Sequence, residues 1–289
     1  MLKKYSVGKV VSGLILVCLS QSIQAKVLLK LDGEITQGGL VVGKTSPGNE
    51  VYYDKDPLKV SRHGLFTLGF SRDDDQTHEL KIIKSDGKKL VQYLTPTKRK
   101  YNVQSIEGID KKIMEPSAEA LKQIAKDSIQ IRAARAISSD NIDFAHGFKA
   151  PATGRITGVY GSQRIYNGVP KNPHYGLDYA GPKGTAVKSP AAGVITLWAP
   201  NMFYSGGTLI IDHGHGITST FLHLSASKVD VGDKVLQGQP IAEIGSTGRS
   251  TGPHLDWRVN WHNVRLDPAL ALTLPNSHTF KPKKTKAVE

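Results

Sequence analysis

A single cysteine, Cys18, occurs among the 289 residues, and it lies close to the N-terminus. That scarcity excludes a disulfide scaffold and any zinc module built on cysteines. Long hydrophobic runs are missing too. The one stretch apolar enough to concern a membrane, Val10 to Leu19, has about ten residues, too few to cross a ~30 Å hydrocarbon core. A polytopic membrane protein is therefore excluded. Acidic residues are in deficit, 25 against 38 Lys and Arg, which leaves a formal charge of +13. No internal repeat is visible. Against these absences stand 39% hydrophobic residues, enough to bury a core, so a wholly disordered chain is excluded as well. The length suits two domains at roughly 100–200 residues each.

Residues 1–25 read as a signal peptide. Lys3, Lys4 and Lys9 form a basic start, the apolar run follows, and Ser20 to Ala25 is small and polar, with cleavage expected after Ala25. Ile15, Leu16 and Val17 match a lipoprotein box poorly, so Cys18 is read as part of the removed peptide. The mature chain would then hold no cysteine, which suits an oxidising envelope compartment, and no transmembrane segment. Loss of three lysines takes the formal charge from +13 to +10. A basic exported protein meets a cell wall or a membrane surface rather than nucleic acid.

Beyond the leader the chain divides by texture. Residues 26–112 carry short β-rich runs (Leu40-Val41-Val42, Val51-Tyr52-Tyr53, Gly64 to Phe70, Leu80 to Ile83) between Gly, Pro and Asp breakers, which predicts a small all-β domain. His63 and His78 look isolated there, and Asp73-Asp74-Asp75 reads as a solvated loop. Residues 113–147 form a helical linker. Within it Ala118, Leu121, Ile124, Ile129, Ile131 and Ala134 recur at about three to four residues without Gly or Pro, which predicts one amphipathic helix packed between the domains. Residues 148–275 return to glycine-rich strands, and 276–289 form a basic tail expected to be disordered.

Three clusters in the second half carry chemistry. His174-Tyr175-Gly176-Leu177-Asp178 sets an imidazole and a carboxylate four apart, and both are zinc ligands. His223 stands alone in the strand-like run Thr220-Phe221-Leu222-His223-Leu224, where a structural role is the simpler reading. The glycine-rich turn Gly245 to Gly252 leads into Pro253-His254-Leu255-Asp256-Trp257. In a strand, residues two apart share a face, so His254 and Asp256 project together, and Arg258 and Asn260 follow them. His213 reads as structural, and His146 and His278 fall in the linker and the tail. Tyr204 on a Gly-flanked loop could reach the groove, although aromatic loop residues more often pack.

Together the set His174/Asp178, His223 and Gly252-Pro253-His254-Leu255-Asp256 resembles the lysostaphin/LytM-type zinc metallopeptidases. The likeness covers about residues 150–270 and includes Gly161-Ser162-Gln163-Arg164, Ile211-Asp212-His213-Gly214 and Val231-Gly232-Asp233. The first half is similar, more weakly, to the β domain that precedes some Gram-negative members. The resemblance implies a mainly β protein: an antiparallel LytM-like peptidase sheet with a groove, a smaller N-terminal all-β domain and one connecting helix. It assigns His174, Asp178 and position 256 as ligands of one Zn2+, and His223 and His254 as the histidines that activate the metal-bound water and stabilise the oxyanion. Arg258 and Asn260 fall where they could support the ligands.

One position departs from the pattern. Asp256 stands where the family has its last histidine. A carboxylate still completes three protein ligands. Two carboxylates cancel the cation's charge, however, which weakens its Lewis acidity and admits Mn2+ beside Zn2+. His215 or His262 could instead move in. The expected function is a periplasmic, or more loosely secreted, metallopeptidase that cuts peptidoglycan cross-links. The alternative is an impaired LytM-like regulator that activates a cell-wall amidase. Peptidoglycan is the expected partner, with a cell-wall hydrolase or a divisome or elongation protein as a second, and no nucleic acid.

Overall fold

Short β-rich runs broken by glycine, proline and aspartate close on one another as antiparallel strands, because each buries only a few side chains and must pair early. In the computed structural model, residues 29–108 and 116–275 are described; the expected signal peptide and the basic tail lie outside the described residues. Two small sheets form the first half. One has the order Lys30–Asp32, Leu40–Lys44, Leu65–Gly69, and the other Asp56–Leu58, Glu50–Tyr53, His78–Ile83, Lys89–Leu94. Gly43 faces Phe66 across the first sheet, and a side chain there would overlap the Phe66 ring.

His78 is not isolated, contrary to the sequence reading. Its Nδ1 meets Asp54 at 2.9 Å and its Nε2 meets Asp74 at 3.0 Å, with Tyr53 stacked on its face. Asp74 is thus withdrawn from solvent, unlike its neighbours in the acidic loop.

The second half is built on a ten-stranded sheet. Its main path runs Lys234–Val235, Gly193–Met202, Gly206–Gly214, Ile217–Ser227, His254–Trp261, Leu177–Ala180, Ile156–Gly158. Gly206–Gly214 and most of Ile217–Ser227 are buried on both faces. The His254–Trp261 strand alternates: Leu255, Trp257, Val259 and Trp261 enter the core, at about 1.5–3 kcal/mol for a well-buried aliphatic or aromatic side chain. That commitment turns His254, Asp256, Arg258 and Asn260 to the other face.

The halves are joined by more than a linker. Val103–Ile106 pairs in parallel with Gln163–Tyr166, Arg72 donates from Nε and Nη2 to the Gly161 carbonyl, and Arg99 pairs with Asp267 at 2.8 Å. Buried side chains from both halves form one continuous hydrophobic cluster.

A helix spans Ala118–Ala136, with Ser117 as N-cap accepting from the Ala120 amide and Glu119 in the first turn. A second, short helix, Pro268–Ala271, follows the sheet. The long helix corrects the amphipathic reading. Leu121 and Ile129 are 54% and 59% exposed, while Asp127, Ala134 and Arg135 are the buried residues. Its main packing is on the Gly193–Met202 and Gly206–Gly214 strands, not between the two halves. Among the described residues no helix is long and apolar enough to cross a membrane.

Candidate functional site

The register of three strands assembles the site. Leu177–Ala180 pairs with His254–Trp261 so that Asp178 lies directly across from Asp256 and Ala180 across from His254. On the other side Leu222 faces Asp256, which brings the next residue, His223, alongside. His223 sits where the pairing with Gly206–Gly214 slips by a residue, and its φ is +63°. A left-handed non-glycine residue at a bulge is strained, and such bulges re-aim a side chain.

Ligand atoms of His174, Asp178 and Asp256 all lie within 4.8 Å of one another. His174 Nε2 and Asp178 Oδ1 face each other at 3.2 Å, yet both are buried without an aligned hydrogen-bond partner. Two glycines make room for the carboxylates. A Cβ at Gly176 would overlap Asp256 Oδ1, and one at Gly158 would overlap Asp178 Oδ2. The glycine inside His174-x-x-x-Asp178 is thus required by the carboxylate opposite.

The two further histidines are held alike. His223 Nδ1 donates to the Thr247 carbonyl at 2.8 Å, and His254 Nδ1 to the Gly252 carbonyl at 2.8 Å. A carbonyl only accepts, so each ring carries its proton on Nδ1 and keeps Nε2 free. The rings lie 4.7 Å apart between centroids. Burial lowers the His223 pKa below its ordinary 6.5, with the His254 and Arg258 charges adding to that and the Thr247 carbonyl and Asp256 opposing it, so the ring is neutral near pH 7.

Arg258 does more than support the ligands. Its Nε donates to Asp256 Oδ1 at 3.0 Å and its Nη2 to Oδ2 at 2.6 Å, a fork on a carboxylate only 2% exposed. Burial pushes the Asp256 carboxyl up, but the Arg258 charge and hydrogen bonds and the nearby histidines outweigh it and bring the pKa down to about 2. Asn260 shares the face, but its side-chain amide is buried without a partner. His215 and His262 do not replace Asp256. They lie in the turns at the far end of the same strands, roughly 20 Å from His223 by strand rise, where both border a cleft with Lys59 and Thr67. His213 is structural, bonded to the Ala192 carbonyl and to Ser219. Tyr204 lines a cavity with His223 rather than packing away from it.

The donor set fits one divalent cation. An imidazole and two carboxylates converge, and the unsatisfied His174 Nε2 and Asp178 Oδ1 are the pair a cation would satisfy. The extra carboxylate is also balanced in charge. Two carboxylates would cancel a divalent cation, and Arg258 restores one net positive charge, as in a site of one carboxylate and two imidazoles. Sequence reading missed that role because it counted ligands and not the cation two residues along the strand.

The sequence and fold are also similar to those of known proteins. Residues 172–268 match Peptidase family M23. A 120-residue segment is 38% identical to the DD-carboxypeptidase/endopeptidase Mpg of Neisseria gonorrhoeae, covering 39% of this chain and 27% of that protein. Another, of 87 residues, is 42% identical to the peptidoglycan DD-endopeptidase ShyA of Vibrio cholerae, covering 30% of this chain and 20% of that one. The chain thus spans about a quarter of the length of these relatives. A solved Pseudomonas aeruginosa protein assigned to peptidase M23 superposes with a TM-score of 0.64 at 26% identity, over 84% of this chain and 96% of that one. Residues 172–268 thus carry the stretch of this chain that is similar to peptidase family M23, of the LytM type.

Proposed function

We propose that the chain is an exported, periplasmic zinc metallopeptidase that hydrolyses peptide bonds in peptidoglycan cross-links. One observation carries this reading: His174, Asp178 and Asp256 converge within 4.8 Å beside two histidines whose Nε2 atoms are free. Relatives that share the domain are named for DD-endopeptidase activity, which supports the same substrate class. The expected bond is a D-Ala–diaminopimelate cross-link.

When bound by His174, Asp178 and Asp256, a divalent cation supplies Lewis acidity at the scissile carbonyl. The chain's own groups then move protons. His223 is neutral and fixed at Nδ1 by Thr247, so its Nε2 can take the proton of the attacking water. His223 Nε2 can then return that proton to the leaving amine, while His254, fixed by Gly252, holds a second Nε2 nearby that donates a hydrogen bond only once it has itself gained a proton. The test is to incubate the zinc-loaded chain with purified cross-linked sacculi and follow dimeric muropeptides by chromatography, with and without chelator. Chelator-sensitive conversion of dimers to monomers is expected, and intact dimers in both arms would refute the reading.

A second reading rests on Arg258. Its fork occupies both oxygens of Asp256, which favours a domain that has given up metal for an ion pair and acts by activating a cell-wall amidase. That reading requires the purified chain to stimulate an amidase on sacculi while His223→Ala leaves the stimulation intact.

A further inference from the structure

The long helix and the large sheet enclose a cavity of about 310 Å³ beside His223, and four arginines line it: Arg135, Arg249, Arg258 and Arg265. Arg258 is engaged with Asp256. Arg135 and Arg265 have no carboxylate partner among the described residues. Arg135 is only 8% exposed; its Nη2 donates to Thr220 Oγ1 at 3.0 Å, and its Nε is buried without a partner. Arg265 likewise buries an unpartnered Nη1. Burial and the neighbouring arginines push the pKa of Arg135 down to about 8 and that of Arg265 down to about 10. The one acid in the lining, Asp127, is already spent on Gln123 Nε2 and the Phe203 amide, both at 2.7 Å.

This arrangement opposes what burial alone selects. The helix leaves Leu121 and Ile129 in solvent and turns a guanidinium inward against two others. An uncompensated buried charge is among the costliest features a fold can carry, and it is relieved by an anion supplied from outside. Guanidinium forks match a planar carboxylate.

We propose that this cavity is an anion pocket in which Arg135 and Arg265 hold a carboxylate of a peptidic ligand whose scissile part reaches His223. The peptidic part rests on the peptidase reading, whereas the anion pocket stands without it.

The test is binding, not turnover, on the full chain in chelator. Thermal unfolding is followed against sodium glutarate, sodium phosphate and sodium chloride at matched ionic strength. Glutarate should raise Tm saturably above chloride, and the rise should vanish in Arg135→Met and shrink in Arg265→Met. Arg135→Met itself should melt at or above wild type in chloride, because it removes an unpaired buried charge. If it does not fold, Arg135→Lys keeps the charge without the fork and should bind glutarate about tenfold more weakly. No rise over chloride, or the same rise in the Arg135 variant, would overturn the pocket. A phosphate effect equal to that of glutarate would overturn the assignment to carboxylate. A stem tetrapeptide with free carboxylates should bind about tenfold tighter by calorimetry than its amidated form, and equal binding would overturn the peptidic ligand. Because no step needs cleavage, failure of the muropeptide assay leaves these outcomes standing, and cleavage without anion preference would sink this proposal alone.

Discussion

Asp256 and Arg258 are best understood as one unit. Asp178 and Asp256 are directly opposed across two paired strands, an arrangement of like charges that is destabilising unless something neutralises it. Arg258 does so, and its hold on Asp256 makes the pair a stability element in its own right. Because the folded pKa lies below the ordinary 3.8, the contribution is present above pH 3.8 and is lost as pH falls toward about 2. In chelator at pH 7, Asp256→Asn should lose about 1.5–3 kcal/mol in urea unfolding, since it removes the charged partner of a half-buried guanidinium. Adding Arg258→Met should recover much of that loss, and a single variant that costs under about 1 kcal/mol would show the pair is not holding the site. For catalysis, His223→Ala should lower turnover by about 10²–10⁴-fold with little change in Tm, as expected for a proton acceptor rather than a packing group. These residues were largely legible. The spacing of His174 and Asp178 and the alternation in His254-Leu255-Asp256 identify the converging set, and the same alternation carries on to Arg258. What spacing could not show was that Arg258 folds back on Asp256, because a side chain's direction along a strand is set by its neighbours.

The long helix shows how pattern reading fails at the scale of an element. Leu121 and Ile129 recur at helical intervals with the other apolar residues, yet at 100° per residue the set spreads over more than half the helix circumference. The face that meets the sheet is a tighter series, Ile124, Asp127, Ser128, Ile131 and Arg135, all of which line the cavity beside His223. Two of its positions are charged, so a search for apolar stripes passes over it. Asp127 accepts the Phe203 amide and so ties the helix to the loop that carries Tyr204. Asp127→Ala should therefore cost about 1–3 kcal/mol, because it leaves a backbone donor unmet. Leu121→Lys and Ile129→Lys should stay within about 0.5 kcal/mol of wild type. The reverse ranking in denaturant unfolding would restore the apolar-face reading. Strand positions were easier to place, because short runs such as Leu40-Val41-Val42 and Leu80 to Ile83 are bounded by glycine, proline and aspartate.

Across the whole molecule the two β halves behave as one body with a titratable group near their seam. Tyr53 lies edge-on to Trp261, at the far end of the strand that carries Asp256, and Tyr53 also stacks on His78. Burial alone would lower the His78 pKa, but its hydrogen bonds and charge contacts with Asp54 and Asp74 outweigh that and raise it above 6.5. The folded state therefore binds a proton more tightly than the unfolded chain. Its contribution is complete below about pH 6.5 and fades as pH rises through the folded value, so stability should fall from pH 6 toward pH 9. His78→Gln removes the titration while keeping hydrogen-bonding capacity, and its unfolding free energy should change less over that interval than that of wild type. Other titrating groups are common to both proteins and cancel in the difference. Parallel curves would mean that Asp54 and Asp74 hold His78 no more tightly folded than unfolded. A steeper wild-type curve would show that folding holds this proton on His78, beside Tyr53 and, through it, Trp261 at the end of the strand that carries Asp256.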